Sequence, residues 1–146
     1  MSQNIGGFGL TVLMTASITY PVGLPLTHFA DDADPFDVPD IQIRDKGMGL
    51  NGDLITWGKA TPIPISISVI PGSVDDIALN ILLKANKVGA GSRPVNDVIQ
   101  MVGTYPDGTF VVLTNGAITD GSVASSVASS GRLKSKTYKF VFENNT

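Results

Sequence analysis

Residues 61–86 read TPIPISISVIPGSVDDIALNILLKAN, and this stretch places one strand directly before one helix. From Ile63 to Val69, apolar residues occupy every second position, which is the period of a strand with one buried face. Proline at position 64 indicates an edge strand or a break in the ladder, because proline has no N–H to donate to a neighbouring strand. The first half of the stretch therefore predicts a half-buried strand.

The second half of the stretch predicts an amphipathic helix. Ser73 is a typical N-cap, and Asp75 and Asp76 fall in the first turn, where the helix dipole favours anions. Gly89 is placed to end the helix. The apolar residues that recur at helical spacing, and that we expect to face a sheet, are Val74, Ile77, Ala78, Ile81, Leu82 and Ala85.

Alternation continues on both sides of this stretch. Residues 8–19 predict a long half-buried strand, which prolines 21 and 25 are expected to end. Residues 133–143 predict a long C-terminal strand with Tyr138, Phe140 and Phe142 on one face. The flanks therefore add strands and no second helix.

Turn signals predict two hairpins between these strands. Residues 41–45 and 53–57 flank an Asn51-Gly52 turn, and residues 98–105 and 109–114 flank Pro106-Asp107-Gly108. Asn115-Gly116 predicts a further turn, and the small-residue run GSVASSVASSG at 121–131 predicts a connection. The chain thus reads as one β-rich domain over residues 1–146 with one helix packed on a sheet.

Residues 29–45 predict a long acidic loop or arm, since HFADDADPFDVPD at 28–40 has neither a strand period nor a helical one. Residues 1–43 contain no Lys or Arg, whereas the region around 132–139 is basic. Two solvated faces would explain this asymmetry, and so would complementary surfaces that set the register between subunits. The candidate inter-subunit contacts are Asp31, Asp32, Asp34, Phe36, Asp37, Asp40, Arg132, Lys134 and Lys136.

The composition favours a subunit whose surface is covered by neighbours. Apolar residues make up 42% of the chain and charged residues 16%, below the roughly 25% typical of soluble domains. The net charge of −3 argues against a general nucleic-acid binder. The start, MSQNIGGFGLTVLM, has no basic residue before its apolar run, so we expect neither a signal peptide nor a membrane span.

The residue inventory speaks against catalysis. There is no cysteine and a single histidine, His28, so a nucleophilic triad or a zinc site lacks its usual residues. The aspartates at 31–40 lack the turn glycine and closing glutamate of an EF-hand loop. Gly89 and Gly91 follow a helix rather than a strand, unlike a phosphate-binding turn. We expect no enzymatic activity, no cofactor and no metal.

About residues 41–143 resemble the tail tube proteins of contractile-tailed bacteriophages. The most specific pieces are IPGS at 70–73, before the helix, and the final SSGRLKSKTYKFVFE at 129–143. The resemblance implies a β-barrel or sandwich with one flanking α-helix, and homo-oligomeric, hexameric rings that stack into the inner tube of a virion tail. It carries over no functional residue.

The resemblance also implies partners. These are a sheath protein outside the tube, a tape-measure protein and later double-stranded DNA in the lumen, baseplate and terminator proteins, and no membrane insertion, with assembly in the host cytoplasm. We expect strand edges of neighbouring subunits to pair into a continuous inner sheet, and the acidic arm to reach an adjacent subunit or ring. A weakly charged, acidic wall would let DNA slide.

Two alternatives stay open. A baseplate or tail-initiation ring protein of the same fold would form one ring and no extended tube. A carbohydrate- or receptor-binding β-module would use Trp57, Phe36 and the aspartate loop, although a lone aromatic in a hairpin is more typical of a core or an interface.

Overall fold

The structure is a computed structural model that describes residues 9–30, 34–91 and 93–145. Within these ranges the chain forms strands β1 to β9 and helix α1. Their bounds are β1 Thr11–Ala16, β2 Tyr20–Leu26, β3 Phe36–Asp37, β4 Arg44–Met48, β5 Leu54–Gly58, β6 Ile63–Val69, α1 Val74–Asn86, β7 Ile99–Thr104, β8 Phe110–Asp120 and β9 Lys136–Asn145.

Seven strands form one antiparallel sheet in the order β2-β1-β7-β8-β9-β6-β3. This sheet curls into a half-barrel, and α1 packs against its buried face. β4 and β5 form a separate two-stranded sheet. The predicted fold class, mainly β with one flanking helix, is confirmed.

The core lies where alternation predicts it. Ile65 and Phe140 are opposite each other on β6 and β9, as are Ile67 and Tyr138, and all four are at most 1% exposed. Burying each side chain of this size contributes about 1.5–3 kcal/mol. The predicted inward faces of these two strands are therefore correct, and together they form the centre of the domain.

Prolines 21 and 25 do not end the first strand region as predicted. β1 stops at Ala16, residues 17–19 turn, and β2 runs through both prolines. β2 accommodates them because it is the outermost strand of the sheet, where one side of the backbone needs no partner.

Asn115-Gly116 is not a turn, contrary to the prediction. β8 continues to Asp120, and the pairing with β7 shifts between Ile99 and Met101, which marks a bulge. Asn115 adopts a φ of 54°, a conformation that asparagine tolerates better than most residues. The dipeptide therefore bends a strand instead of ending it.

Helix α1 begins as predicted, but its buried face is different. The Ser73 hydroxyl accepts a hydrogen bond from the Asp76 N–H at 3.2 Å. Leu79 and Leu82 are fully buried, with Ala78 8% exposed. Val74, Ile77 and Ile81, predicted to face the sheet, are 70%, 56% and 51% exposed. Apolar residues occupy both sides of this helix, so the period alone does not identify the side that packs.

Two buried aspartates fasten the helix to the first strands. Asp75 accepts hydrogen bonds from the N–H groups of Thr27 and His28, both at 2.7 Å. Asp97 accepts from the N–H groups of Ile18 and Thr19, at 2.8 and 3.0 Å, and also from the Thr19 hydroxyl. The carboxylate of Asp75 thus does more than complement the helix dipole.

Asp97 also holds the end of the helix. The Asn86 side-chain amide donates to it at 2.9 Å, and the Asp97 N–H donates back to Asn86 Oδ1 at 2.9 Å. Burial alone would raise the pKa of Asp97, but the hydrogen bonds from Thr19, Asn86 and the Ile18 N–H together lower it. Asp97 is therefore a charged clamp between the β1–β2 turn and α1.

Candidate assembly surfaces

The hairpin of β4 and β5 contributes nothing to the core. No residue of β4 is buried, and all five residues of β5 are exposed. Its large apolar residues range from 50% exposed at Trp57 to 104% at Leu50. A two-stranded hairpin is only marginally stable by itself in water, so this one needs a further partner.

The two faces of this hairpin differ in chemistry. Side chains alternate along a strand, so one face carries two cations and no carboxylate, with apolar residues toward the turn. We call it the basic face, and its residues are Arg44, Lys46, Met48, Leu54 and Thr56. On the opposite face, Ile55 and Trp57 accompany Asp45, and the Trp57 ring lies beside Gly47.

The predicted acidic arm is held to the sheet at two places. Phe29 bridges to Val69, and β3 pairs Phe36 with Ile67. The Phe36 ring also meets Tyr105 edge to face, with centroids 6.5 Å apart. Phe36 thus has a contact within its own chain. Asp31 and Asp32 lie outside the described residues.

A slot with a volume of about 220 Å³ opens beside this segment. Its floor includes the buried residues Ile65 and Leu113. One wall is formed by Val38, Pro39 and Ile41. Exposed aspartates on the same segment are Asp34, Asp37 and Asp40. None of these aspartates lines the slot, and the pairing of Asp37 with Ser66 puts Asp37 on the outer face of the sheet, opposite the buried Ile65.

The basic candidates near the C-terminus separate into two groups. Arg132 and Lys134 are exposed in the connection between β8 and β9, and their role as subunit contacts stays a prediction. Lys136 is buried, and its Nζ lies 3.3 Å from Asp76 Oδ2. Lys136 therefore already has a partner within the chain.

Lys136 belongs to a polar cluster beneath the helix. The Tyr138 hydroxyl donates to Asp76 Oδ1 at 2.9 Å, and Asn80 donates to the same hydroxyl at 3.3 Å. Burial raises the pKa of Tyr138 to about 12; the Asn80 hydrogen bond acts against this, and the hydrogen bond to Asp76 and its charge act with it. The phenol therefore stays protonated and serves as a structural donor.

The edges of the large sheet are poor in hydrogen-bond donors. β2, at one edge, has proline at two of its seven positions. At the other edge, β3 covers only Ser66 and Ile67 of β6. The Ser68 N–H donates to the Pro35 carbonyl, and the Ser68 carbonyl accepts from the Ala30 N–H, so these groups of β6 point away from β9. Backbone groups alternate sides along a strand, so the backbone of Pro64, four residues earlier, points toward the same edge of the sheet. The prolines thus leave fewer backbone N–H groups in the strands near these edges.

Two further surfaces are exposed. Val74, Ile77 and Ile81 form an apolar stripe along the outer side of α1. On the face of the large sheet away from the core, strands β1, β7, β8 and β9 present mainly Thr and Val. The charged residues of these four strands, apart from buried Lys136, are Asp120, Lys139 and Glu143.

Within the described part of the chain, no group of three or more His, Cys, Asp or Glu residues is arranged to hold a metal ion. The single helix there is also too short and too polar to cross a membrane. His28 lies 3.5 Å from Asp75 through Nδ1, and Asp75 is already engaged by two backbone N–H groups.

Comparison with protein families decides the relationship of the chain. The family described as "Tail fiber protein gp32" matches residues 3–146. The chain belongs to this family. Membership in the gp32 family supports a structural role in a tail, as the sequence predicts, while the assignment to the tail tube is finer than the family description. Comparison with curated proteins gives no match.

Solved structures share the fold of this gp32 family member at low sequence identity. A chain in the cryo-EM structure of the anti-feeding prophage cap, a tube terminating cap, has a TM-score of 0.55 at 16% identity, covering 100% of this chain and 91% of that one. A chain of the anti-feeding prophage baseplate, 6-fold symmetrised, has a TM-score of 0.55 at 9% identity, covering 100% and 96%.

A third structure extends the pattern. A chain in the sheath/tube terminator of PVC, an extracellular contractile injection system, has a TM-score of 0.54 at 10% identity, covering 100% of this chain and 97% of that one. At these identities the likeness concerns the fold.

The basic face and the slot were not among the predicted sites, whereas Asp34, Asp37 and Asp40, on the segment beside the slot, were predicted as candidate inter-subunit contacts. The hairpin was predicted, but its exposure was not, since its apolar residues gave no sign of lacking a core to pack on. The sequence signal that could have revealed the basic face is the spacing of Arg44 and Lys46. They are two positions apart, which puts both cations on one face of a strand.

Proposed function

We propose that this chain is a ring-forming subunit of an inner tail tube. Homo-oligomeric rings, hexameric by the resemblance to tail tube proteins, would stack into a conduit for double-stranded DNA during ejection. The single observation that carries the proposal is the β4–β5 hairpin, whose apolar residues are exposed although the chain has a complete core elsewhere.

Exposed apolar surface of this kind is typical of subunits that bury it on assembly. Met48, Leu50 and Leu54 are each at least 67% exposed and cluster around one turn. An exposed hairpin with apolar residues and no proline would promote aggregation of a monomer, and a defined neighbour removes that hazard. The family description, a tail protein, agrees with an assembled state.

The outer face of the large sheet suits the wall of a DNA channel. It has few charges, and Lys139 is its only cation on β1, β7, β8 and β9 among the described residues outside the core. DNA affinity depends on Lys and Arg that neutralise phosphates, so a wall of this composition lets a duplex pass without holding it. Tight, salt-sensitive DNA binding by assembled protein would contradict this part of the proposal.

Other partners follow from the same role. A sheath protein would surround the tube, a tape-measure protein would occupy it before DNA, and baseplate and terminator proteins would cap its ends, in a virion assembled in the host cytoplasm. The exposed stripe on α1 is available for one of these contacts. The chain remains a structural component in this scheme and performs no catalysis.

The test is electron microscopy of the purified protein in negative stain, with mass measured by light scattering. We expect rings or tubes with an axial channel for the wild type, and monomers for Leu54→Ser, which removes apolar surface from the hairpin. Val88→Ser is the matched control, because Val88 is 73% exposed but lies beyond the helix. A wild-type protein that stays monomeric at high concentration would refute the proposal.

Two rival roles give different images. A role as a terminator, cap or baseplate ring, the assemblies that contain the chains with the shared fold, predicts single rings that do not stack. A fibre role, which the family description names, predicts a non-stacking oligomer with a saturable receptor site. For that role Trp57, which is 50% exposed, is the candidate stacking aromatic, and Trp57→Ala would abolish glycan binding.

A further inference from the structure

The chain contains the dipeptide Asn-Gly at two places, and the structure holds the two very differently. One is Asn51-Gly52, in the turn of the β4–β5 hairpin, and the other is Asn115-Gly116, in β8. An asparagine followed by glycine is prone to spontaneous deamidation, because glycine has no side chain to keep its backbone nitrogen away from the asparagine side chain. By sequence alone the two sites are equivalent.

The reaction requires the backbone to rearrange around the asparagine. The nitrogen of the following glycine attacks the side-chain Cγ, so an N–C bond forms, the Cγ–Nδ2 bond breaks, and ammonia leaves with the proton of the glycine N–H. Water then opens the five-membered succinimide at either carbonyl and gives aspartate or isoaspartate. A glycine N–H that is held in a hydrogen bond must first be released, so the rate follows the free energy of local opening.

Asn51 lies in a turn that opens easily. Asn51 and Gly52 are both exposed, and the Gly52 N–H donates to the Gly49 carbonyl at 3.0 Å. Gly52 has a φ of 86° and open space where a Cβ would lie. No residue of either hairpin strand is buried, and an isolated two-stranded hairpin is only marginally stable. Opening this turn therefore breaks no contact of the core.

Asn115, in contrast, is followed by a glycine that is paired on both sides. Gly116 is buried, and it pairs with Ile99 of β7 and with Phe142 of β9. A Cβ on Gly116 would overlap the Phe142 ring, so the backbone here has no room to move toward that ring. Releasing the Gly116 nitrogen means opening β8 in the middle of the large sheet, which requires close to the free energy of global unfolding.

We propose that Asn51 is a site of spontaneous deamidation in the folded protein and that Asn115 is protected from it. The reaction places a carboxylate in a turn whose neighbours Met48, Leu50 and Leu54 are exposed and apolar. A charge that enters an apolar contact without a partner destabilises it. The consequence for assembly rests on the proposed function: subunits that stay unassembled lose the ability to join, because the modified turn belongs to the assembly surface.

Peptide mass spectrometry of protein incubated at mildly alkaline pH tests the site. In the folded protein, Asn51 should be converted at least about tenfold faster than Asn115, because hairpin turns and central strands differ widely in opening free energy. In guanidinium chloride the two sites should react at similar rates. Asn51→Gln is the matched control, because glutamine keeps the amide but closes the corresponding ring poorly, and position 51 should then stay unmodified.

Two results would overturn the assignment of Asn51. One is conversion of Asn51 no faster than that of Asn115 in the folded protein. The other is a rate ratio in guanidinium chloride as large as in the folded protein, since the difference would then come from the local sequence instead of the structure.

Assembly measurements separate this inference from the proposed function. Asn51→Asp, which mimics one product, should raise the concentration for half-assembly at least about tenfold in mass photometry. Asn145→Asp is the matched control, because it makes the same chemical change at an exposed residue at the end of β9 and should assemble normally. Normal assembly of Asn51→Asp overturns the consequence for assembly and leaves the ring proposal in place. A wild-type protein that forms no rings refutes the proposed function, whereas mass spectrometry still decides the deamidation of Asn51.

Discussion

Replacing Asp97 with alanine should lower the free energy of unfolding by about 2–4 kcal/mol. Asp97 is 4% exposed and accepts hydrogen bonds from two backbone N–H groups, the Thr19 hydroxyl and the Asn86 amide. Each buried donor left without a partner costs about 1–3 kcal/mol, and the lower part of that range applies here because Ile18 is 56% exposed and water can reach its turn.

The assay is urea unfolding followed by far-ultraviolet circular dichroism, with Asp107→Ala as the matched control. Asp107 also has a lowered pKa, caused mainly by hydrogen bonds from the Thr109 hydroxyl and N–H, but it is exposed in a turn. We therefore expect little change in stability for the control. The two variants remove the same chemical group and differ in the burial of its partners.

The pH dependence gives a second readout. The pKa of Asp97 is lower in the folded state than the value of about 3.9 for an unfolded chain, so its charge stabilises the fold above that pH. This contribution is lost as pH falls through the folded-state pKa. The stability difference between wild type and Asp97→Ala should therefore narrow below about pH 4. Equal losses for the Asp97 and Asp107 variants, or a difference that is unchanged at low pH, would refute the assignment of Asp97 as a charged clamp.

Three other changes have defined outcomes. Gly116→Ala should lower the free energy of unfolding by about 1–3 kcal/mol in the same urea assay, because a Cβ there overlaps the Phe142 ring and lies 2.9 Å from the Val141 carbonyl oxygen. Tyr138 has a raised pKa, so the wild type should lose stability in thermal melts as pH rises from about 10 toward 12, and Tyr138→Phe should lack this loss. Ile77→Ser should leave unfolding within about 0.5 kcal/mol of wild type, because Ile77 is 56% exposed, and a larger loss would contradict its outward position.

Features that depend on near neighbours in the sequence were predictable. The alternation of β6 and β9 identifies their buried faces, because consecutive side chains of a strand point to opposite sides. The cap at Ser73 is equally local, since it needs only the N–H of the third residue after it.

Features that depend on distant pairing were not predictable. Whether Pro21 ends a strand or lies in one depends on the strand being outermost, and that follows from the order of the whole sheet. Helix α1 has two apolar stripes, and the position of the sheet decides which of them is buried; the helical period alone does not. Asp97 is 78 and 79 residues from Thr19 and Ile18, so no local pattern relates them.

The candidate site shows the same division. The hairpin itself follows from an Asn-Gly turn between two short strands, which is local. Its lack of a core to pack on is a property of the whole fold, and only the scarcity of charge in the composition hinted at it. The acidic segment was visible as composition, but the slot beside it requires β3, β6 and β8 to be in place.

The proline pattern bears on how copies can join. The expected mechanism was pairing of strand edges into one continuous sheet, yet Pro21, Pro25 and Pro64 remove donors from the edges of the large sheet. Proline at such edges prevents uncontrolled strand addition, which is a common route to aggregation. The hairpin has no proline, and both of its outer edges are open among the described residues. Under the proposed function, the exposed hairpin is therefore a better candidate for the contact between copies than the edges of the large sheet.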